Sequence, residues 1–384
     1  MKEIRVGLVG CGFMGKAHSN AWLNVAKFFP LKVKPEMQVA CDKVKSLGKA
    51  CQENWGWKKF ESSYKKLLKS REINLVDITT PNNVHKEIAL AAAENGINIA
   101  CEKPLAMNSD EAREMLNAVK KSKVKHMIWF NYRRIPAIGL AKRIIEEGRI
   151  GKIYHIRASY LQDWIMDPNF PLVWRLQKEI TGSGAHGDLN AHIIDLARYL
   201  VGEFDEVVGM DKTFIKTRPL VEEAAGLAGK GKKEKGKVTV DDAVLFLARF
   251  KNGAIATFES TRFAGGRKNQ NQFEINGSRG TLAFKFERMN ELQYLSLTEP
   301  QYLQGFKTIL ATEPVHPYMH AWWPPGHIIG YEHTFVNAAS DLVESMTKNK
   351  KIEPNFEDGL KCQQVLDAVL KSVQERTWVE VDEM

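Results

Sequence analysis

The feature that most constrains this chain is its start, where I-R-V-G-L-V-G-C-G-F-M-G occupies residues 4–15. Ile4, Val6, Leu8 and Val9 form a short apolar run, and a run without strict alternation reads as a parallel strand covered on both faces. Gly10, Gly12 and Gly15 follow at once in the spacing G-x-G-x-x-G. In a strand–turn–helix unit the first glycine permits the tight turn and the second lets backbone come close to a pyrophosphate. The third lets the helix pack tightly on the strand. The helix predicted over residues 13–28 then presents unpaired N–H groups and a positive dipole end to phosphate. A plain tight turn is the competing reading. The position of the motif, directly after a strand and before a helix, favours a dinucleotide site.

With 384 residues the chain has room for two domains with separate cores. Hydrophobic residues make up 44% and charged residues 26%. No run of about 18 apolar residues is present, so no membrane span is expected. The first residues lead straight into a strand, which leaves no room for a signal peptide. Five cysteines, Cys11, Cys41, Cys51, Cys101 and Cys362, form no C-x-x-C pair. That usage fits reduced thiols and a cytoplasmic location. The net charge of +9 lies largely in residues 230–237 and on scattered helical faces, without interleaved aromatics. It reads as solvated surface, so neither nucleic acid nor membrane is expected as a partner.

Residues 28–36 contain Pro30 and Pro35 and read as a loop. A second strand over 37–41 ends at Asp42. An acid there can accept hydrogen bonds from the adenosine ribose hydroxyls and repel a 2′-phosphate, or it can simply cap the helix that follows. Lys43 pulls the other way, so NAD is expected and NADP is possible. The strand L-V-D-I-T (75–79) delivers Thr79, Thr80, Pro81, Asn82 and Asn83 to the crevice edge, and His85 opens the next helix, 84–95. A strand over 97–101 delivers Glu102, Lys103 and Pro104 to the same edge. A lysine held beside a proline there is a candidate for chemistry at the reacting centre, or an ordinary exposed lysine. Ser109 is expected to cap a helix through 121, and 125–130 is the last strand. Strands and helices alternate throughout, which predicts a doubly wound parallel sheet over 1–130.

From 131 to 384 the pattern changes. Pro136 opens a helix, 153–163 alternates as a strand, and Pro168 and Pro171 mark a loop carrying Trp164, Trp174 and Arg175. A helix from 186 to 201 would set Asp188, His192 and Asp195 on one stripe at i, i+4 and i+7. A histidine that titrates near neutrality, with a carboxylate one turn away, suits general acid–base chemistry. A structural pair is the alternative; a metal pair would lack a third clustered ligand, so no metal is expected. Strands then dominate at 207–215, 243–250, 254–263, 271–275 and 280–285, separated by turns such as Lys251-Asn252-Gly253. Residues 224–237, rich in Gly and Lys, read as a mobile loop. Helices return at 328–347 and 356–376.

V-G-L-V-G-C-G-F-M-G, T-T-P-N-N-V-H, C-E-K-P (101–104) and G-S-G-A-H-G-D-L-N-A-H-I-I-D-L (182–196) together resemble the Gfo/Idh/MocA oxidoreductase family over nearly the whole chain. V-T-V-D-D-A (238–243), F-E-S-T-R-F-A-G-G-R-K-N (258–269) and W-W-P-P-G-H-I-I-G-Y-E-H-T-F (322–335) look most like its levoglucosan dehydrogenase, or sugar 3-dehydrogenase, branch. The loop G-S-G stands where many relatives have G-G-G. The resemblance implies an α/β fold class: a Rossmann NAD(P)-binding domain over 1–130, and over 131–384 an α+β domain with a mostly antiparallel open sheet. It implies a dehydrogenase that oxidises a secondary hydroxyl of a sugar, anhydrosugar or cyclitol by hydride transfer to nicotinamide. Lys103, Asp188 and His192 correspond to the family's catalytic lysine, aspartate and histidine. His192 is then the proton acceptor, Asp188 orients it, and Lys103 holds the substrate hydroxyl, although lysine and histidine can trade roles. Gly10, Gly12, Phe13, Met14, Gly15, Asp42, Thr79, Thr80, Pro81, Asn82, His85, Glu102 and Lys103 would line the cofactor, with Trp174 and Arg175 closing over it. Gln162, Trp164, Tyr331 and His333 join the three catalytic residues as candidate sugar contacts. A homodimer or homotetramer is expected. Two other functions fit the same architecture: an NAD-dependent glycoside hydrolase and a non-catalytic sugar or cofactor sensor.

Overall fold

The computed structural model describes residues 2–225 and 228–384. They form two compact units: Met1–Asn131 with Ile329–Lys361, and Tyr132–Ile328 with Cys362–Met384. Residues 329–361, grouped with the second domain in the sequence reading, belong to the first unit. No helix among the described residues is long and apolar enough to cross a membrane.

The first unit is built on six strands: β1 (Ile4–Val9), β2 (Pro35–Cys41), β3 (Lys59–Glu61), β4 (Leu75–Ile78), β5 (Asn98–Cys101) and β6 (His126–Ile128). Their order is β3-β2-β1-β4-β5-β6, and every pairing is parallel. β4 and β5 are buried at every position, which explains why they read as continuous apolar runs. The strand order reverses at β1, between β2 and β4. In an open parallel sheet this switch point is where a crevice for ligand opens beyond the strand ends. The helix Phe13–Phe28 buries Gly15, His18, Ser19, Ala21, Trp22 and Val25, and Tyr331–Thr347 packs against it. Two local expectations are corrected. β2 begins at Pro35, inside the anticipated loop. The helix Ser109–Ser122 is capped by Asn108, whose side chain accepts the Glu111 N–H at 2.9 Å, rather than by Ser109.

The second unit adds β7 (Ile153–Leu161), β8 (Phe204–Lys212), β9 (Thr217–Ala225), β10 (Ala228–Lys237), β11 (Ala243–Phe250), β12 (Ile255–Thr261), β13 (Gln270–Gly277), β14 (Gly280–Lys285), β15 (Glu291–Ser296), β16 (Lys307–Leu310) and β17 (Val379–Glu380). Nine of them form one sheet in the order β16-β15-β14-β13-β7-β12-β11-β8-β17. Only β7 and β12 pair in parallel; the rest are antiparallel. β11 buries Val244, Phe246, Ala248 and Phe250 and exposes Leu245 and Leu247, the period-two pattern of a sheet with one covered face. The helix Ala191–Leu200 covers β7 and β13.

The expected mobile loop at 224–237 is a correction. β9 and β10 pair antiparallel as a separate ribbon, and residues 226–227 lie outside the described residues. What holds the ribbon lies at its base. The fully buried Arg218 guanidinium donates to the carbonyls of Ile165 at 2.5 Å, Asp167 at 2.8 Å and Phe170 at 3.3 Å. Val238 and Val240 pack with Ile165, Phe170, Leu172 and Leu176, and Leu220 and Val221 cover this cluster.

Candidate active site

In the first unit the glycine motif does what its spacing predicts. Gly10 has φ +104°, and a Cβ on it would lie 2.8 Å from the Thr79 carbonyl, so β1 and the Thr79–Thr80 turn meet backbone to backbone. A Cβ on Gly15 would stand 2.2 Å from the Gly10 oxygen; only hydrogen there lets the helix close on the strand. At Gly12 a Cβ would meet nothing within 4 Å, so the space a pyrophosphate needs is open. The Phe13–Phe28 helix starts there without a side-chain cap, leaving first-turn N–H groups for an anion. Phe13 is 58% exposed, and Met14 lies 4.0 Å from the Tyr331 hydroxyl. Asp42 at the end of β2 accepts the Cys11 N–H at 2.8 Å and the Val44 N–H at 2.8 Å. It ties the glycine loop to the second strand, as well as bracing the chain ahead of the helix Lys45–Trp55. These residues fit a dinucleotide.

The turns after β4 and β5 complete this half. Thr79 Oγ1 donates to the Gly10 carbonyl at 2.6 Å, and Pro81 and Asn82 lead into a short 3₁₀ turn. His85 is fully buried, its ring nitrogens 3.1 Å from the Pro104 carbonyl and 3.0 Å from the Thr80 carbonyl. Burial pushes its pKa down. With one N–H it donates to one of these two carbonyls, and the ring sits between the two turns. Glu102 is buried as well, and its Oε2 accepts the Lys103 N–H at 3.0 Å. The Lys103–Pro104 peptide is cis.

In the second unit, the expected helix over 186–201 is a π-helical turn, His186–Asn190, running into the α-helix Ala191–Leu200. Asp188 sits in the wide turn and His192 in the α-helix. The wider turn alters the one-stripe geometry expected of a uniform helix. The turn is pinned by residues distant in sequence. Asp241 accepts the N–H groups of Gly184 at 2.7 Å and His186 at 2.8 Å. His186 lies 2.9 Å from the Leu366 carbonyl and 2.9 Å from the Asn190 amide nitrogen. Asp188 pairs with Arg262 at 2.7 Å, and Arg262 is only 1% exposed. His192 is stacked on Tyr132, with centroids 4.5 Å apart and planes at 29°. From Tyr132 a polar chain runs outward: its hydroxyl meets Tyr160 at 2.8 Å, and Tyr160 donates to Asn269 at 2.6 Å. Gln162 donates to the same Asn269 oxygen at 2.9 Å, and Trp164 donates to Gln162 at 2.9 Å. The Arg262 guanidinium lies over the Trp164 ring at 5.3 Å.

The remaining candidates divide between the units. Trp174 and Arg175 stack on each other at 4.3 Å in the second, where burial lowers the Arg175 pKa against the pull of Asp188. Tyr331 and His333 lie in the first unit at the start of their helix, and His333 Nδ1 accepts the Gly330 N–H at 3.1 Å as a helix cap. Asp195 is not part of an acid–base stripe: it is buried in a two-point pair with Arg133 at 2.5 and 2.9 Å. Sequence reading missed Tyr132, Tyr160, Asp241, Arg262 and Asn269. Asp241, Arg262 and Asn269 stood inside quoted motifs, but none of the five carried a spacing signal of its own.

Fold and glycine loop together define a protein that binds a dinucleotide through a Rossmann domain. Residues 4–130 match the family described as "Oxidoreductase family, NAD-binding Rossmann fold", and residues 138–283 match the GFO/IDH/MocA C-terminal domain. The chain belongs to the Gfo/Idh/MocA family. It is 43% identical over 389 aligned residues, the whole of both chains, to levoglucosan dehydrogenase of Pseudarthrobacter phenanthrenivorans. Among solved structures it superposes on an oxidoreductase domain protein from Kribbella flavida with TM-score 0.94 and 47% identity, covering 99% of this chain and 100% of that one. A levoglucosan dehydrogenase in complex with NADH and levoglucosan gives TM-score 0.94 and 43% identity over 100% of both.

Proposed function

We propose that this protein oxidises a secondary hydroxyl of a pyranose, anhydrosugar or cyclitol, with NAD as acceptor. The observation that carries the reading is the setting of His192: stacked on Tyr132, four residues after the Arg262-paired Asp188, with its ring near Tyr160 of the chain Tyr160–Asn269–Gln162–Trp164. Neutral donors and acceptors alternating with aromatic faces match a molecule covered in hydroxyl groups. The full-length identity to a levoglucosan dehydrogenase supports an anhydrosugar or a close sugar analogue as the substrate.

The bound nicotinamide supplies the hydride acceptor. Gly10, Gly12, Phe13, Asp42 and the 79–82 turn would hold the dinucleotide. An acid at the end of the second strand would repel a 2′-phosphate, which supports NAD over NADP. His192 takes the proton of the reacting hydroxyl. With Arg262 offsetting its charge, Asp188 acts by orientation more than by raising the basicity of His192. Lys103 donates to the substrate oxygen and stabilises negative charge as the C–H bond breaks. We also infer a homodimer or homotetramer, supported by exposed Met210, Leu245, Leu247 and Ile255 on the open face of the sheet; light scattering tests it.

The deciding experiment follows reduced-nicotinamide absorbance with NAD or NADP across sugars, anhydrosugars and inositols. Growth with one substrate class and NAD is expected. Silence with cofactor bound would overturn the dehydrogenase reading and favour a glycoside hydrolase or a sensor.

A further inference from the structure

One buried cluster in the first unit has no part in the chemistry assigned so far. His18, on the inner face of the Phe13–Phe28 helix, is fully buried between two carboxylates. Its Nδ1 lies 2.9 Å from Asp77 Oδ2, and its Nε2 lies 2.8 Å from Glu102 Oε1. Asp77 is itself enclosed: Trp22 Nε1 donates to Oδ2 at 2.7 Å and Trp129 Nε1 to Oδ1 at 2.8 Å. The rings of Trp129 and Phe335 lie 4.3 and 5.2 Å from the imidazole, so the cluster is walled by aromatic surface. Glu102 turns its second oxygen to the Lys103 N–H at 3.0 Å.

A neutral imidazole has one N–H, yet both of its nitrogens here face a carboxylate oxygen, an acceptor when ionised. Asp77 takes indole donors on both oxygens, the arrangement a carboxylate requires. With both acids ionised, a doubly protonated ring is the one that satisfies both contacts. Two buried carboxylates with no cation between them would carry a large desolvation and repulsion cost. We propose that His18 is a positioning residue: as an imidazolium clamped between Asp77 and Glu102, it fixes Glu102, and through it the backbone from which Lys103 reaches the reacting hydroxyl. The proposal rests on the dehydrogenase reading for the role of Lys103, and on geometry alone for the clamp. The charges around the ring agree: burial works against the cation, but Asp77 and then Glu102 outweigh it and raise the His18 pKa from 6.5 to about 9. The Cys101 thiol, next to Glu102 in the chain, is pushed up by burial and by both acids, so it adds no third negative charge at neutral pH.

The test uses the full-length protein. In histidine-15N spectra the His18 ring, assigned by its loss in His18→Gln, should show both nitrogens protonated near neutral pH; a neutral tautomer overturns the clamp. In sugar oxidation, His18→Gln should lower kcat about tenfold to a hundredfold, the range a small misplacement of a reacting group causes. The KM for NAD should barely move. In a Lys103→Ala background the same substitution should cost almost nothing further. An equal loss in both backgrounds shows a general structural effect and overturns the positioning role. If His18→Gln fails to fold, Glu102→Gln replaces it, since it keeps an acceptor for the Lys103 N–H but removes the charge facing His18. If the wild-type protein oxidises no sugar, the dehydrogenase reading fails separately. The clamp is then judged by the 13C signal of reductively methylated Lys103: it should shift in His18→Gln, and an unmoved signal overturns the proposal.

Discussion

The proposed reaction gives Lys103 the role of donor to the oxygen of the reacting hydroxyl and His192 that of acceptor of its proton. Lys103→Ala and His192→Ala should therefore each cut turnover by about 10²–10⁴-fold, the usual worth of positioned proton transfer and charge stabilisation. NAD affinity, read from tryptophan fluorescence, should stay near wild type. Wild-type turnover in either variant would remove that residue from the mechanism. Both stood out as candidates in the sequence because each sits in a short motif whose neighbours dictate its surroundings: a strand end before Lys103, a glycine-bearing turn before His192. Tyr132 and Arg262 were not legible as site residues. Tyr132 stacks on His192, and Arg262 pairs with Asp188, 74 positions away. No local pattern encodes pairs formed only when the second unit folds.

Among the elements, the opening strand–turn–helix was read almost to the residue, because its glycines answer to distances as short as 2.2 Å that no other side chain tolerates. Two substitutions separate its tasks. Gly15→Ala should destabilise the fold by about 1–3 kcal/mol, as overpacking does, seen as a lower urea midpoint. Gly12→Ala, where a Cβ meets no protein atom within 4 Å, should leave that midpoint unchanged and weaken NAD binding. A lowered midpoint for Gly12→Ala, or none for Gly15→Ala, would contradict this division. Asp241→Ala should cost about 1–3 kcal/mol by leaving the buried Gly184 and His186 N–H groups without an acceptor, and should lower turnover by loosening the turn that carries Asp188. The β9–β10 ribbon escaped sequence reading for a physical reason. Its lysines and glycines show no alternation, because the ribbon is held at its base by Arg218 and a small valine cluster rather than by a buried face of its own. The π-helical turn escaped because helical periodicity is blind to one extra residue in a turn.

For the whole molecule, the titration of His18 sets a pH dependence. Its pKa is raised from 6.5 to about 9 on folding, so its stabilising contribution is complete below about 6.5 and is lost as pH rises through about 9. The wild-type melting temperature should fall across that window, and the fall should be reduced in His18→Gln; parallel curves would refute it. All five cysteines are buried and none is in a disulfide, four of them in the first unit and Cys362 in the second. The thiols are therefore built-in clocks. The rate at which a colorimetric disulfide reagent labels each one measures how often its surroundings open. Mass analysis of the labelled chain would report the breathing of the cofactor unit through four positions and of the sheet unit through one, in the unaltered protein.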